Sequence, residues 1–144
     1  MSGDTREIDR RRFLLTCAAG ACALGGLSGC ASLATRPVTA TNGVIRLPLA
    51  DHPELARPQG SVRILPAGER EPLVVLALGE DRYAVLSTVC THRGCAVDVQ
   101  GANLVCPCHG STYDRSGAVL RGPAEQPLRR YTVNVVAAAL EITL

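Results

Sequence analysis

Short apolar segments, separated by breaks that contain Pro, Gly or Asn, make up the chain from residue 44 onward. Segments 44–49 and 61–65 alternate approximately between apolar and polar side chains, which is typical of strands with one buried face. Segment 73–78 is apolar throughout and is followed by a polar turn and a second apolar run at 83–87. This pattern predicts a hairpin whose first strand is buried on both faces.

The remaining segments extend the same pattern to the end of the chain. Residues 97–99 and 104–105 flank a turn that contains Gly101 and Asn103, and two further candidate strands lie at 131–136 and 140–143. Three alanines at 137–139 join the last pair, so a helix is an alternative there. Before residue 137 no segment of the domain keeps helical periodicity over ten residues, and the sequence therefore predicts an all-β domain over residues 44–144.

The first thirty residues follow a different pattern, that of an export signal. Residues 6–12 are mostly charged, and residues 13–35 contain no charged side chain. Arg10 and Arg11, followed by Phe13 and Leu14, resemble the twin-arginine (Tat) signal, which directs export of proteins that are already folded. Export by this route predicts a periplasmic location, or one on the outer face of the membrane, for a protein that carries a cofactor.

Residues 27–30, Leu-Ser-Gly-Cys, resemble a lipobox, in which Cys30 would receive a lipid and become the new N-terminus. Two alternatives are an uncleaved transmembrane anchor, since a helix over residues 13–35 is long enough to cross a bilayer, and simple cleavage with release. Residues 31–43 are small and polar without periodicity, and they predict a flexible tether between the membrane and the domain.

Composition limits what the domain can rely on for stability. The 144 residues include 3 Tyr, 1 Phe and no Trp, so the aromatic side chains that dominate burial in small cores are scarce. We therefore expect a metal or disulfide to supplement the core. The formal net charge of +2 is too small to indicate a nucleic-acid partner.

Cysteine and histidine are concentrated in two neighbouring segments. Residues 90–95 read Cys-Thr-His-Arg-Gly-Cys and residues 106–111 read Cys-Pro-Cys-His-Gly-Ser. Each segment follows a predicted strand and supplies one Cys and one His at close spacing. Thiolate and imidazole at such spacing are ligands for zinc or for an iron–sulfur cluster.

Both segments resemble the cluster-binding loops of the Rieske iron–sulfur family. The resemblance implies a [2Fe–2S] cluster held by Cys90 and Cys106 on one iron and by His92 and His109 on the other. It also implies a disulfide between Cys95 and Cys108, which is found in the high-potential branch of the family. The fold implied is an antiparallel β sandwich or meander with a small cluster-binding subdomain over about residues 88–114.

Further residues match positions that tune or cover the cluster in this family. Ser111 and Tyr113 match a Ser-x-Tyr pair that donates hydrogen bonds to a bridging sulfide and to the first cysteine ligand. Donors directed at sulfur stabilise the reduced form and raise the potential. Gly122 and Pro123 match a proline-containing loop that covers the cluster, whereas His52 is expected to be an exposed loop residue without a role.

The function implied is one-electron transfer, with quinol as the donor and a c-type cytochrome as the acceptor. Arg93 departs from the apolar residue usual at this position of quinol-oxidising members, where the loop docks into cytochrome b. An accessory periplasmic carrier, or the small subunit of an oxidase such as an arsenite oxidase, is therefore an alternative.

Two other classes share part of the motif. A structural zinc module could use the same Cys and His side chains. Soluble Rieske ferredoxins and ring hydroxylases have both ligand motifs but usually lack the disulfide pair and an export signal.

Overall fold

The computed structural model describes residues 33–144, in which β-strands predominate. Two single-turn 3-10 helices, at Leu49–Asp51 and Pro53–Ala56, interrupt a succession of twelve strands. The strands are β1 (Thr35–Val38), β2 (Ala40–Thr41), β3 (Val44–Pro48), β4 (Ser61–Pro66), β5 (Leu73–Gly79), β6 (Arg82–Ser87), β7 (Asp98–Gln100), β8 (Asn103–Val105), β9 (Thr112–Tyr113), β10 (Val119–Arg121), β11 (Arg130–Val136) and β12 (Ala139–Thr143). Among residues 33–144 there is no helix long and apolar enough to cross a membrane.

Eight strands form the larger sheet, in the order β1-β4-β5-β6-β11-β12-β3-β2. Its pairs are antiparallel except β1 with β4, which is parallel. Strand β5 lies inside this sheet and is buried from Leu73 to Ala77, which confirms the prediction of a strand covered on both faces. The β5–β6 hairpin reverses through Glu80 and Asp81, both with positive φ, as two-residue hairpin turns require.

The C-terminal hairpin confirms the predicted strands and removes the helical alternative. Strands β11 and β12 pair antiparallel through a turn in which Ala137 and Ala138 have φ of 46° and 58°. The backbone N–H of Leu49 donates to the carbonyl of Ala138 at 3.0 Å, so the turn is tied to the first 3-10 helix.

Residues that the sequence assigned to a flexible tether belong to the folded domain. Strand β1 aligns Thr35 with Arg63 of β4, and β2 aligns Ala40 with Ile45 of β3. Both strands lie at the edges of the larger sheet, and Val38 and Ala40 also pack against buried core side chains. The tether prediction is wrong for residues 35–41.

His52 also differs from the expectation of an exposed loop histidine. Its side chain is buried, and its Nδ1 lies 3.1 Å from Nη1 of Arg36, which also pairs with Glu54 at 2.7 Å. Burial, and then the guanidinium of Arg36, lower the pKa of His52. The neutral ring is therefore the form that accepts the hydrogen bond that anchors β1.

The smaller sheet carries the site and has the strand order β10-β9-β8-β7. One cluster of buried side chains joins the two sheets, with Val74 and Leu76 on the larger sheet facing Leu104 and Tyr113 on the smaller. A second cluster packs the opposite face of β5 against the 3-10 segment and strands β3 and β12. The site is thus mounted on one face of the larger sheet.

Two arginines also bridge the sheets. Nη2 of Arg63, on β4, donates to the carbonyl of Val97 at 3.0 Å and to Oδ1 of Asp98 at 2.9 Å. Arg115 donates to the carbonyl of Gly60 at 2.7 Å and to that of Gly101 at 3.2 Å. These contacts fix the smaller sheet relative to the strands beneath it.

Candidate metal centre

The first Cys–His loop closes on itself after β6. The backbone N–H of Cys90 donates to the carbonyl of Cys95, and the N–H of Gly94 donates to the carbonyl of Cys90, both at 2.8 Å. Gly94 has φ of +78°, a conformation that disfavours side chains with a Cβ. The loop therefore curls tightly, with Thr91, His92 and Arg93 at its tip.

The second loop, between β8 and β9, repeats this geometry. The N–H of Cys106 donates to the carbonyl of Ser111 at 2.8 Å, and that of Gly110 donates to Cys106 at 2.9 Å. Gly110 has φ of +76°, almost the value of Gly94. The two loops are therefore equivalent clasps, and each presents one cysteine at its base and one histidine nearer its tip.

A disulfide joins the two clasps. Cys95 and Cys108 are bonded, with 6.5 Å between their Cα atoms. The sulfur atoms of these two residues and of Cys106 lie within 4.8 Å of one another. Because a disulfide sulfur is not a thiolate, Cys95 and Cys108 do not offer ligands, and the loops keep Cys90 and Cys106 for that role.

These two free thiols are buried and face each other. Burial opposes ionisation of Cys90, but hydrogen bonds from Tyr113 and from the backbone N–H of His92 outweigh it and lower the pKa of Cys90. Burial and the hydrogen bond with Cys90 raise the pKa of the Cys106 thiol. Both sulfurs would bind a metal as thiolates, so metal binding at this pair would release the thiol protons.

The rings of the two predicted histidines are brought together. The rings of His92 and His109 are 4.8 Å apart between centroids and meet edge to face. His109 is exposed and His92 is partly exposed. Two sulfur donors in the interior and two nitrogen donors at the surface fit the Cys₂His₂ set of a Rieske [2Fe–2S] cluster.

The hydroxyl of Tyr113 lies close to the first thiol. Its hydroxyl lies 3.3 Å from Sγ of Cys90 and accepts the backbone N–H of Thr91 at 3.2 Å. The same hydroxyl lies 3.0 Å from Oγ1 of Thr91, which donates its own hydrogen to the carbonyl of Gln126 at 2.6 Å. Thr91 can therefore only accept from Tyr113, and it competes with Cys90 for the phenolic hydrogen.

Thr91 is the residue that the sequence analysis missed. Its position between two predicted ligands is a signal for proximity to the site. Its hydrogen-bond partner lies 35 residues away, so the competition for Tyr113 could not be predicted from the sequence.

The segment after β10 is fastened to both clasps. The peptide bond between Gly122 and Pro123 is cis. The N–H of Ala124 donates to Oγ of the fully buried Ser111 at 3.0 Å, and the carbonyl of Gln126 accepts from Thr91. Residues 122–126, which we call the covering loop, therefore lie against the site, and the hydroxyl hydrogen of Ser111 remains available to a sulfur acceptor.

The sequence predictions for the export signal fall outside the described residues. These are the paired Arg10 and Arg11, the lipidation site Cys30 and the signal or anchor over residues 1–30.

Comparison with known proteins agrees with this geometry. The family model for the Rieske [2Fe-2S] domain matches residues 48–132. The cytochrome b6-f complex iron-sulfur subunit of Synechococcus sp. (strain WH7803) is 32% identical over 93% of this chain and 84% of its own length. The subunit of the same name from Trichodesmium erythraeum is 42% identical over 56% of this chain. The chain spans about half of the length of several such relatives, 48% and 52% in two of them.

Solved structures show the same fold. The cyanobacterial plasma membrane Rieske protein PetC3 from Synechocystis PCC 6803 matches with a TM-score of 0.50 and 24% identity, over 71% of this chain and 87% of that one. A chain in the complex of reduced oxygenase and oxidized ferredoxin in carbazole 1,9a-dioxygenase matches with a TM-score of 0.57 and 21% identity, over 72% and 94%. From the matched residues and the paired clasps, the chain belongs to the Rieske [2Fe-2S] family, and its cofactor is a [2Fe–2S] cluster.

Proposed function

We propose that the chain transfers single electrons through a cluster held by Cys90, His92, Cys106 and His109. The observation that carries the proposal is the juxtaposition of two buried free thiols with two imidazoles in edge contact, on clasps joined by a disulfide. Zinc would accept the same four donors. The family match and the hydroxyls of Ser111 and Tyr113 directed at the site favour the cluster.

When bound, the cluster supplies a one-electron couple, which in Rieske proteins lies between roughly −150 and +300 mV. The donor set of this chain favours a high value, because two thiolates and two neutral imidazoles leave the oxidised centre formally neutral. Hydrogen bonds from Tyr113 and Ser111 stabilise added negative charge on sulfur. Burial of both cysteines strengthens these interactions, since water does not compete with them.

The two imidazoles are suited to handle the proton that accompanies the electron. Each ring bonded to iron through one nitrogen keeps its other nitrogen for hydrogen bonding. His109 is exposed, so its free nitrogen can accept a hydrogen bond from a hydroxyl of a bound reductant. This arrangement supports a quinol as the donor.

The relatives support a membrane setting for this reaction. Several are named as iron-sulfur subunits of cytochrome b6-f complexes, and PetC3 is described as a plasma membrane Rieske protein. We infer a cytochrome b-type subunit and a c-type cytochrome as partners. Tat export and anchoring through Cys30 or an uncleaved helix would place the domain on the outer face of the membrane.

Arg93 favours a second candidate within the same reaction class. A guanidinium beside the exposed imidazoles is poorly suited to an apolar quinol pocket. An accessory periplasmic carrier, or the small subunit of an oxidase such as an arsenite oxidase, would accept this charge more readily.

The test is metal and sulfide analysis of the purified protein, followed by an EPR-monitored redox titration. We expect two irons and two acid-labile sulfides per chain, and a potential that lies in the upper half of the family range and falls as pH rises. Zinc without sulfide would refute electron transfer. A potential that is flat between about pH 6 and 10 would refute the proton-coupled quinol reaction and leave the carrier.

A further inference from the structure

We propose that the electron-transfer partner of this domain presents a carboxylate-rich docking patch to Arg93. The inference rests on the proposed function, because it identifies the chemistry of the surface that meets the exposed imidazole. The first observation is the difference in burial between the cysteines and the histidines. Cys90 and Cys106 are buried under the smaller sheet, whereas His109 is exposed at the end of its clasp. A partner must therefore approach through the imidazole end of the site.

Arg93 lies within that approach. It follows His92 directly, so its Cα is one peptide unit, about 3.8 Å, from that of the proposed ligand. Its side chain is exposed, at the tip of the clasp. Throughout the described part of the chain, no ion pair or side-chain hydrogen bond involves its guanidinium.

The surroundings of Arg93 do not compensate its charge. The other side chains of the two clasps, residues 90–95 and 106–111, are uncharged apart from the two imidazoles. The two clasps therefore carry the positive charge of Arg93 and contain no carboxylate that could balance it.

Docking of a partner would change the surroundings of the Arg93 guanidinium. A partner that covers His109 closely enough for electron transfer also removes water from Arg93. A charge left unpaired in an interface costs several kcal/mol, whereas a carboxylate opposite a guanidinium supplies paired, charge-assisted hydrogen bonds. The partner surface is therefore acidic at this point, and opposite charges also accelerate encounter at low salt.

The test uses two outer-sphere oxidants of opposite charge as probes of this surface. The reduced holoprotein is oxidised by ferricyanide, which carries a charge of about −3, and by tris(phenanthroline)cobalt(III), of about +3, in stopped-flow experiments at low and high ionic strength. The quantity measured is the rate constant for ferricyanide divided by the rate constant for tris(phenanthroline)cobalt(III). A change in the protein's own potential affects both rates in the same direction, so this ratio isolates the charge at the contact.

The variants are Arg93→Leu, Arg93→Glu and the matched control Arg82→Leu. Arg82 is also exposed but lies at the start of β6, the opposite end of that strand from Cys90. At low ionic strength, one charge about 8 Å from a trivalent oxidant changes each rate several-fold in opposite directions. We therefore expect the ratio to fall at least tenfold in Arg93→Leu, to fall further in Arg93→Glu, and to remain within twofold of wild type in Arg82→Leu.

A ratio that is unchanged in both Arg93 variants, or that falls equally in Arg82→Leu, would overturn the proposal. A second readout is the inhibition of ferricyanide reduction by hexacyanocobaltate(III), an anion of similar charge that does not accept electrons. It should weaken in the Arg93 variants and persist in the control, and the reverse pattern would also overturn the proposal. Absence of iron and sulfide from the purified protein would instead overturn the proposed function, and this inference with it.

Discussion

Tyr113→Phe removes one hydroxyl and leaves the packing of the ring, so it isolates the hydrogen bond to Cys90. The hydroxyl is fully buried, 3.3 Å from Sγ of Cys90 and 3.0 Å from Oγ1 of Thr91. A hydrogen bond to a charged acceptor contributes about 1.5–3 kcal/mol. The hydrogen bond is present in both redox states, so the potential depends only on the difference between its energies in the reduced and oxidised states. We take this difference as about 1 kcal/mol.

This difference converts directly into a measurable shift. A factor of ten in an equilibrium constant, about 1.4 kcal/mol, corresponds to about 59 mV for one electron. We therefore expect Tyr113→Phe to lower the reduction potential by about 40 mV. Protein-film voltammetry at fixed pH resolves a shift of this size.

The companion variant Thr91→Val tests the competition for the phenolic hydrogen. Valine removes the acceptor Oγ1 and keeps the backbone N–H that donates to Tyr113. The hydrogen of Tyr113 is then directed to Cys90 alone, and the potential should rise by less than about 40 mV. In the Tyr113→Phe background the same substitution should have no upward effect. An unchanged potential in Tyr113→Phe, or an equal rise in both backgrounds, would contradict the account.

Three further predictions concern stability. Cys108→Ser opens the disulfide, whose partners are 13 residues apart, and should destabilise the domain by about 3 kcal/mol. The visible spectrum of the cluster should then be lost at a lower urea concentration. An unchanged midpoint of the urea transition would count against the disulfide as a stabilising link. Arg63→Met removes one buried and one partly buried hydrogen bond between the sheets and should cost about 2 kcal/mol in urea unfolding. Arg46→Met, which removes an exposed ion pair, should change stability by less than about 1 kcal/mol, and equal losses in the two variants would refute the bridging role. The pKa of His52 is lowered in the folded state, so the stability that depends on its neutral ring is retained above its ordinary pKa of 6.5 and lost as pH falls below it. Hydrogen exchange in β1 should accelerate between pH 7.5 and 5.5, and a pH-independent rate, corrected for intrinsic exchange, would refute the anchoring role.

The parts of the site that were predictable are those with local geometry. Each clasp spans six residues, and a glycine four positions after its cysteine allows the tight curl. Strand β5 was predictable because its apolar run has no polar face. The disulfide followed from the family resemblance, since the spacing of four cysteines alone allows several pairings.

The parts that were not predictable depend on contacts between distant segments. Strands β1 and β2 lie at sheet edges and have only 4 and 2 residues, which is too short for a hydrophobic period to appear in the sequence. Arg63 bonds to a carbonyl 34 residues away, and Thr91 to one 35 residues away. A side chain's role in such a contact is set by the tertiary fold and not by its neighbours in sequence.

Pulsed EPR of the reduced protein distinguishes a cluster bound by two imidazoles from any other ligand set. We expect two histidine nitrogens coupled to the cluster. One coupling should be lost when either His92 or His109 is replaced by a ligand without nitrogen in a variant that still assembles the cluster. A spectrum with no directly coordinated nitrogen, or a protein that contains zinc in place of iron and sulfide, would contradict ligation of the cluster by two imidazoles.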